Sequence, residues 1–187
     1  MIPTRFGGLY MVYDAIQASI EAHKDQLRKL ENGVYVAHPL EVAIILAQNG
    51  ADEDIISAGI LHDTVEDTTM SIEMIRQQFG ARIAEIVAGC TEPQKEVCWQ
   101  TRKDWAIKHV STTATHDMRL VICADKLSNI RSIYRNLHHK GDAVWDHFHA
   151  PYEKQKWYYV SMLEGLSELK GLAMYDELDD LITKVFK

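Results

Sequence analysis

The sequence predicts an all-α fold in which a single domain forms a helical bundle. Apolar residues recur at helical spacing along most of the 187 residues, and no stretch shows the polar–apolar alternation of a half-buried strand. The chain is 47% apolar and 25% charged, which is typical of a globular protein with a hydrophobic core. No internal repeat and no linker rich in Ser, Pro or Gly interrupts it, so we expect one domain over residues 1–187.

Caps and breakers give the order of the first helices. Gly33 interrupts the helical pattern, and Pro39 suits the first turn of the helix that follows, which Gly50 ends. Asp52 and Ser71 are predicted N-caps of two later helices, because their side-chain oxygens can accept from free backbone N–H groups. These signals predict the first helices over residues 10–30, 38–50, 52–61, 71–80 and 81–90.

The second half of the chain has longer helical stretches. Gly141 is the main punctuation, because glycine is common just beyond the end of a helix. The predicted helices lie over residues 99–110, 116–137, 143–169 and 172–186.

Charge and composition exclude several classes of protein. The formal net charge of −7 gives no basic excess for nucleic-acid binding. The longest apolar run, residues 42–47, is far shorter than the roughly 18 residues of a membrane helix, and the N-terminus lacks the pattern of a secretory signal.

Cys90, Cys98 and Cys123 match no zinc spacing, so we expect a reducing, cytoplasmic compartment. Self-association into a homo-oligomer remains compatible with the sequence.

Four titratable residues, His62, Asp63, Glu66 and Asp67, follow an apolar helix. If helical geometry continues, His62 lies one turn from Glu66, and Asp63 lies one turn from Asp67. Burying such carboxylates without partners is costly, and a divalent cation is a natural partner for His and Asp together. Capping of the helix, or pairing with a lysine, is the alternative explanation.

Two further polar positions interrupt apolar stretches. Asp125, Asn129 and Ser132 form a polar stripe at i, i+4 and i+7, beside an apolar stripe on the same predicted helix. His38 directly precedes another apolar run. Each pattern alone is equally explained by a boundary face or by a histidine with a partner in the core. Together with the His62 cluster, they make Asp125 and His38 candidate metal ligands.

In this order, His38, His62-Asp63 and Asp125 resemble the H…HD…D signature of the HD-domain metal-dependent phosphohydrolases. A closer resemblance is to the hydrolase domain of the RelA/SpoT alarmone enzymes. The segments that carry this resemblance are residues 23–29, 35–40, 61–68 and 124–132. The resemblance covers a motif-bearing core of about residues 23–137 and is followed by C-terminal helices over about 143–186. The length leaves no room for a synthetase domain, so the chain is most similar to the stand-alone small alarmone hydrolases.

The resemblance implies a bound metal and two catalytic carboxylates. One divalent cation, expected to be Mn²⁺, would be held by His38, His62, Asp63 and Asp125. Glu66 and Asp67 would orient and activate the attacking water.

The resemblance also implies how the substrate is bound. Arg28 would lie over the nucleobase, and Lys29 would lie near a phosphate, where both would offset the excess of negative charge around the metal. The other implied substrate-binding residues are Asn129, Ser132, Lys126 and Arg131.

The implied reaction removes the 3′-pyrophosphate from guanosine tetra- or pentaphosphate and gives GDP or GTP plus pyrophosphate. Residues 91–116 do not align with the long bifunctional enzymes, which leaves adenosine alarmones, NADPH or a deoxynucleotide as alternative substrates. A non-catalytic alarmone-binding module is a second alternative. Within residues 91–116, Arg102 and Lys103 could reach a phosphate, but we interpret them as a solvated helix face. The cations and aromatic residues of 154–159 could form a wall of the nucleotide site, but we interpret this segment as an aromatic helix that packs against the core.

Overall fold

Helices account for most of the residues described by the computed structural model, which are 9–28, 30–31, 33–93 and 97–187. The α-helices are α1 (Leu9–Ala22), α2 (Ala37–Gln48), α3 (Glu53–Leu61), α4 (Thr64–Asp67), α5 (Ile72–Phe79), α6 (Ala81–Cys90), α7 (Trp99–Thr112), α8 (His116–Lys140), α9 (Tyr152–Gly165) and α10 (Ala173–Val185). Short 3-10 helices occupy Gly141–His147 and Ser167–Leu169. Within the described ranges, the only strand-like pairing is an isolated bridge between Leu27 and Val34, so the predicted all-α fold is confirmed. None of the helices described is long and apolar enough to cross a bilayer.

Helix α8 is the central element of the bundle. It packs against α2, α3, α6 and α10, and its side chains Leu127 and Ile130 have no solvent exposure. Complete burial of an aliphatic side chain of this size contributes about 1.5–3 kcal/mol. The buried apolar residues form one cluster that extends from α1 to α10. The helix that contributes more buried residues to the core than any other helix described therefore also carries Asp125 and its polar neighbours.

The predicted N-caps are confirmed. The Asp52 side chain accepts from the backbone N–H of Ile55 at 3.1 Å, and Ser71 Oγ accepts from Met74 N–H at 3.2 Å. Each such cap stabilises its helix by about 1 kcal/mol. The cap at Asp52 starts the helix whose last turn ends at the His62-Asp63 pair.

The predicted helix over residues 10–30 is wrong beyond residue 22. Helix α1 ends at Ala22, and the polar residues that follow offer no apolar face that could be buried. The chain instead folds back on itself: Arg28 N–H donates to Gly33 O at 2.8 Å, and Tyr35 N–H donates to Gln26 O at 3.0 Å. This turn brings Arg28 and Tyr35 to the same side of the bundle.

The predicted helix over residues 143–169 is also interrupted. A 3-10 helix ends at His147, and α9 begins at Tyr152 after Pro151, which occupies the N-cap position. Proline has no N–H group and disfavours helical geometry in the residue before it, so a helix begins at this residue more readily than it continues through it.

Helices α2 and α3 approach each other closely at Gly59. A Cβ atom at this position would overlap Leu46 Cδ1 and would lie 3.2 Å from Val42 Cγ1. The carbonyl of Gly59 also accepts a hydrogen bond from His62, so the close contact is one turn from the candidate site.

We expect Gly59→Ala to lower the free energy of unfolding by about 1–2 kcal/mol. Overpacking typically costs about 1–3 kcal/mol, which exceeds the gain in helix propensity of roughly 1 kcal/mol. Urea denaturation followed by circular dichroism measures the change. Gly33→Ala is the matched control, because nothing lies within 4 Å of a Cβ built there. Equal stability of Gly59→Ala and the wild type would contradict the close packing.

Candidate functional site

Two buried imidazoles face two carboxylates at the end of α3. The Nε2 atom of His38 lies 3.4 Å from Asp63 Oδ2 and 3.2 Å from Asp125 Oδ1. The Nε2 atom of His62 lies 3.2 Å from Asp63 Oδ1 and 3.7 Å from Asp125 Oδ1, yet it is buried and makes no hydrogen bond within the described part of the chain. Ligand atoms of His38, His62 and Asp63 all lie within 4.8 Å of one another. This mixed nitrogen and oxygen donor set fits a divalent transition metal.

Both histidines have their other ring nitrogen engaged. His62 Nδ1–H donates to the carbonyl of Gly59 at 2.7 Å. His38 Nδ1 lies 2.9 Å from Ser128 Oγ, and the Ser128 hydroxyl donates to Glu41 at 2.8 Å, so His38 is the donor to Ser128. In each histidine Nε2 is therefore the nitrogen that faces the carboxylates, and it is the atom that would bind a metal in its deprotonated form.

The resemblance implied that Arg131 contacts the substrate, but its side chain does not line the cavity beside the candidate metal ligands. It pairs with two glutamates on the other side of α8. Its guanidinium donates to both carboxylate oxygens of Glu177, at 2.7 and 2.6 Å, and lies 3.4 Å from Glu41. Since Glu177 belongs to α10, this pairing directs the side chain away from the metal ligands and links α8 to the C-terminal helix.

The two aspartates are held in their ionised form. Burial by itself would raise the pKa of Asp125, but Lys126, whose Nζ lies 2.7 Å away, holds that pKa well below its usual range. Burial opposes ionisation of Asp63 in the same way, and the imidazoles of His62 and His38 lower its pKa well below the usual range. Two ionised carboxylates beside two imidazoles complete a suitable set of metal ligands.

Tyr35 joins this group to Asp67. Its hydroxyl donates to Asp63 Oδ2 at 2.6 Å and to Asp67 Oδ2 at 3.0 Å. Burial and the two carboxylates raise the pKa of Tyr35, so the phenol keeps its proton. His23 stacks on the Tyr35 ring with centroids 4.6 Å apart. Tyr35 is absent from the predicted site residues, although its position three residues before His38 is a signal that could have indicated it.

Glu66 is held in place by Arg102, which was predicted to lie on a solvated helix face. Arg102 Nη2 donates to Glu66 Oε1 at 2.6 Å and to Glu92 Oε2 at 2.9 Å. Burial and the nearby charge of Glu92 raise the pKa of Glu66. The interpretation of Arg102 and Lys103 as a solvated helix face is wrong, because both side chains are only 17% exposed. Pairing with buried carboxylates is what permits these cations to point inward.

The predicted substrate-binding residues occupy several positions around the metal ligands. Arg28 donates to Asn129 Oδ1 at 3.2 Å, and its guanidinium lies 6.0 Å from the centroid of the Tyr35 ring. Ser132 is buried and gives its hydroxyl hydrogen bond to Glu31 at 2.8 Å. The side chains of Arg28, Asn129 and Ser132, together with Lys126, line one cavity. Lys29 lies outside the described residues.

That cavity has a volume of about 1040 Å³ and reaches from the metal ligands to an aromatic wall. Tyr158 and Tyr159 line it and also belong to the buried core, so this part of residues 154–159 packs against the core and also forms a wall of the cavity. Of the residues placed by the structure, five carboxylate and four Lys or Arg side chains line this cavity. A divalent cation would make the balance positive, and a positive cavity favours an anionic ligand.

The chain is similar in sequence and in structure to proteins whose names state an activity. A family model described as HD domain matches residues 15–151. The Danio rerio protein named guanosine-3′,5′-bis(diphosphate) 3′-pyrophosphohydrolase MESH1 is 36% identical over 128 residues, which are 67% of this chain and 70% of that protein. The Aquifex aeolicus protein named guanosine-3′,5′-bis(diphosphate) 3′-pyrophosphohydrolase is 33% identical over 122 residues, but the match spans only 17% of its length. A solved structure described as a metazoan ortholog of SpoT that hydrolyzes ppGpp has a TM-score of 0.78 and 26% identity, and the match covers 97% of this chain and 98% of that one.

We expect Ser128→Ala to weaken Mn²⁺ binding by about tenfold or more, because His38 loses the partner that orients its ring. Calorimetric titration of the metal-stripped protein measures the affinity. Ser57→Ala is the matched control: Ser57 is equally buried, and its hydroxyl makes no hydrogen bond to any residue that the structure describes. Unchanged Mn²⁺ affinity in Ser128→Ala would show that His38 does not depend on this contact.

Proposed function

The chain belongs to the HD domain family, and on this premise we propose that it is a metal-dependent hydrolase that removes the 3′-pyrophosphate from guanosine tetra- and pentaphosphate. The products are GDP or GTP and pyrophosphate. The observation that carries the proposal is the meeting of two imidazoles and two carboxylates beside Glu66 and Asp67 in one cavity. The names of the Danio rerio and Aquifex aeolicus relatives and the description of the SpoT ortholog support the same substrate.

The proposed metal is Mn²⁺, for which imidazole and carboxylate ligands are both suitable. His38, His62, Asp63 and Asp125 would hold it, since their donor atoms face one another across 3.2–3.7 Å. When bound, such a cation supplies a Lewis acid that lowers the pKa of water and polarises a phosphoryl oxygen.

Glu66 and Asp67 are the proposed catalytic carboxylates. They orient the attacking water, and Glu66 accepts its proton. The raised pKa of Glu66 suits this role, because a base works best when its proton affinity approaches the working pH. Tyr35 fixes Asp67 through its hydroxyl, and Arg102 fixes Glu66, so neither carboxylate has to be ordered during the reaction.

The nucleotide is proposed to bind on the side of Arg28 and Asn129. The flat guanidinium of Arg28 is suited to stack on a base, and Asn129 joins Arg28 to the ligand Asp125. Lys126 supplies positive charge, and Lys29 and Ser132 remain proposed contacts.

The proposed compartment is the reducing cytoplasm. Cys90, Cys98 and Cys123 are free thiols, and Cys123 is a fully buried core residue, so the structure makes no use of a disulfide in the described ranges.

A metal-dependent hydrolysis assay tests the proposal. Protein that has been stripped and reloaded with Mn²⁺ is expected to convert guanosine tetraphosphate to GDP and pyrophosphate, and a chelator should abolish this conversion. Failure to convert it, with full metal content, would exclude this substrate. The adenosine counterpart and NADPH, tested in parallel, identify an alternative substrate, and tight binding without turnover indicates a non-catalytic module.

We expect Glu66→Gln to keep its Mn²⁺ and to lose at least about a hundredfold in kcat, because the amide cannot accept the proton of water. Elemental analysis of the purified protein measures the metal content. Glu164→Gln is the control, since Glu164 is an exposed glutamate on α9. A Glu66→Gln enzyme with a normal rate would remove Glu66 from the catalytic machinery.

A further inference from the structure

A second cluster of charges lies in the cavity around Glu92. Lys103 Nζ donates to Glu92 Oε1 at 2.7 Å, and Arg102 donates to Glu92 Oε2 through Nη2 at 2.9 Å and through Nε at 3.2 Å. The Tyr158 hydroxyl lies 3.4 Å from Glu92 Oε1. The Glu92 side chain is only 10% exposed. One carboxylate is therefore enclosed by donors, in the way that an anionic ligand is enclosed by its binding site.

Two cations, Arg102 and Lys103, bind the one carboxylate of Glu92, and Lys126 lies close to them. The ammonium groups of Lys103 and Lys126 lie 4.7 and 5.4 Å from the centroid of the same Tyr158 ring. Burial and the neighbouring charge of Lys126 lower the pKa of Lys103, which shows how closely the two cations approach each other. Arg102 also pairs with Glu66 and Lys126 with Asp125, but among the residues that the structure describes Lys103 pairs only with Glu92. A buried lysine–glutamate pair in a cavity is poorly explained by stability alone, because buried ion pairs seldom repay their desolvation.

We propose that Arg102 and Lys103 form an anion subsite that takes a phosphate or pyrophosphate group of the nucleotide, with Glu92 as a displaceable internal counter-ion. This inference rests on the proposed function. Glu92 holds the two cations together before the ligand binds, and the incoming phosphate oxygens then take over its hydrogen bonds. Because Arg102 also contacts Glu66, the subsite adjoins the proposed catalytic carboxylates and is placed to hold the leaving pyrophosphate.

Calorimetric titration of the Mn²⁺-loaded protein with inorganic pyrophosphate tests the subsite without any turnover. We expect Lys103→Gln to weaken pyrophosphate binding by about tenfold, the loss of one charge-assisted hydrogen bond. Lys103 is the informative position because it contacts Glu92 and not Glu66. Lys103→Arg keeps the charge and should bind within about threefold of the wild type. Lys108→Gln, an exposed lysine on the same helix, is the control and should bind like the wild type.

Glu92→Gln separates a displaceable counter-ion from a structural support. Removal of the competing carboxylate should tighten pyrophosphate binding by about threefold or more. Weaker binding in Glu92→Gln, with unchanged unfolding and Mn²⁺ content, would overturn the role of Glu92. Pyrophosphate affinity in Lys103→Gln equal to that of the wild type would overturn the subsite. A protein that fails to hydrolyse guanosine tetraphosphate but shows the Lys103 effect would refute the proposed function and leave the anion subsite intact.

Discussion

The proposed metal site depends on two buried imidazoles whose Nδ1 atoms are hydrogen-bonded, so that their Nε2 atoms face the carboxylates of Asp63 and Asp125. This requirement fixes the acceptor of each Nδ1–H: the backbone of Gly59 for His62, and the hydroxyl of Ser128 for His38. The carbonyl of Gly59 can accept from His62 because it lies in the last turn of α3. The absence of a side chain at Gly59 also lets α2 approach closely. The Ser128 oxygen can accept from His38 because its own hydroxyl hydrogen is donated to Glu41. The packing of α2, α3 and α8 and the chemistry of the metal ligands are thus consequences of the same contacts.

Charge compensation is the second constraint, and the structure meets it with cations from distant parts of the chain. Lys126 neutralises Asp125 from the neighbouring position, whereas Arg102 comes from another helix to reach Glu66. Buried carboxylates without such partners would take up protons and could serve neither as metal ligands nor as a base. The cavity can therefore keep acidic groups for chemistry and still favour an anionic ligand once a dication is present.

The sequence allowed prediction of most of the helices and of the cluster of imidazoles and carboxylates that could hold a metal, because both follow from local patterns. Helical periodicity and caps such as Asp52 report on neighbours in the sequence, and the His62-Asp63 pair stood out against an apolar helix. Arg102 was misplaced because its partner Glu66 is 36 positions away, and no periodicity records such a pairing. Tyr35 was missed for a related reason: the turn that presents it replaces what the pattern predicted as the end of a helix. Which predicted residues touch substrate remains a proposal.

The register of α8 links the evolution of the site to that of the core. Asp125, Ser128, Asn129 and Ser132 follow one another at intervals of three, one and three residues, so they share one face of the helix. A helix turns about 100° per residue, so one inserted or deleted residue between Asp125 and Ser132 would swing half of this face into the core. An insertion or deletion in this stretch would therefore disrupt both the site and the core. Substitutions, which keep the register, are the changes through which this stretch can adapt to a new substrate. The connection between α8 and α9 carries no such register, and length variation among related chains can accumulate there.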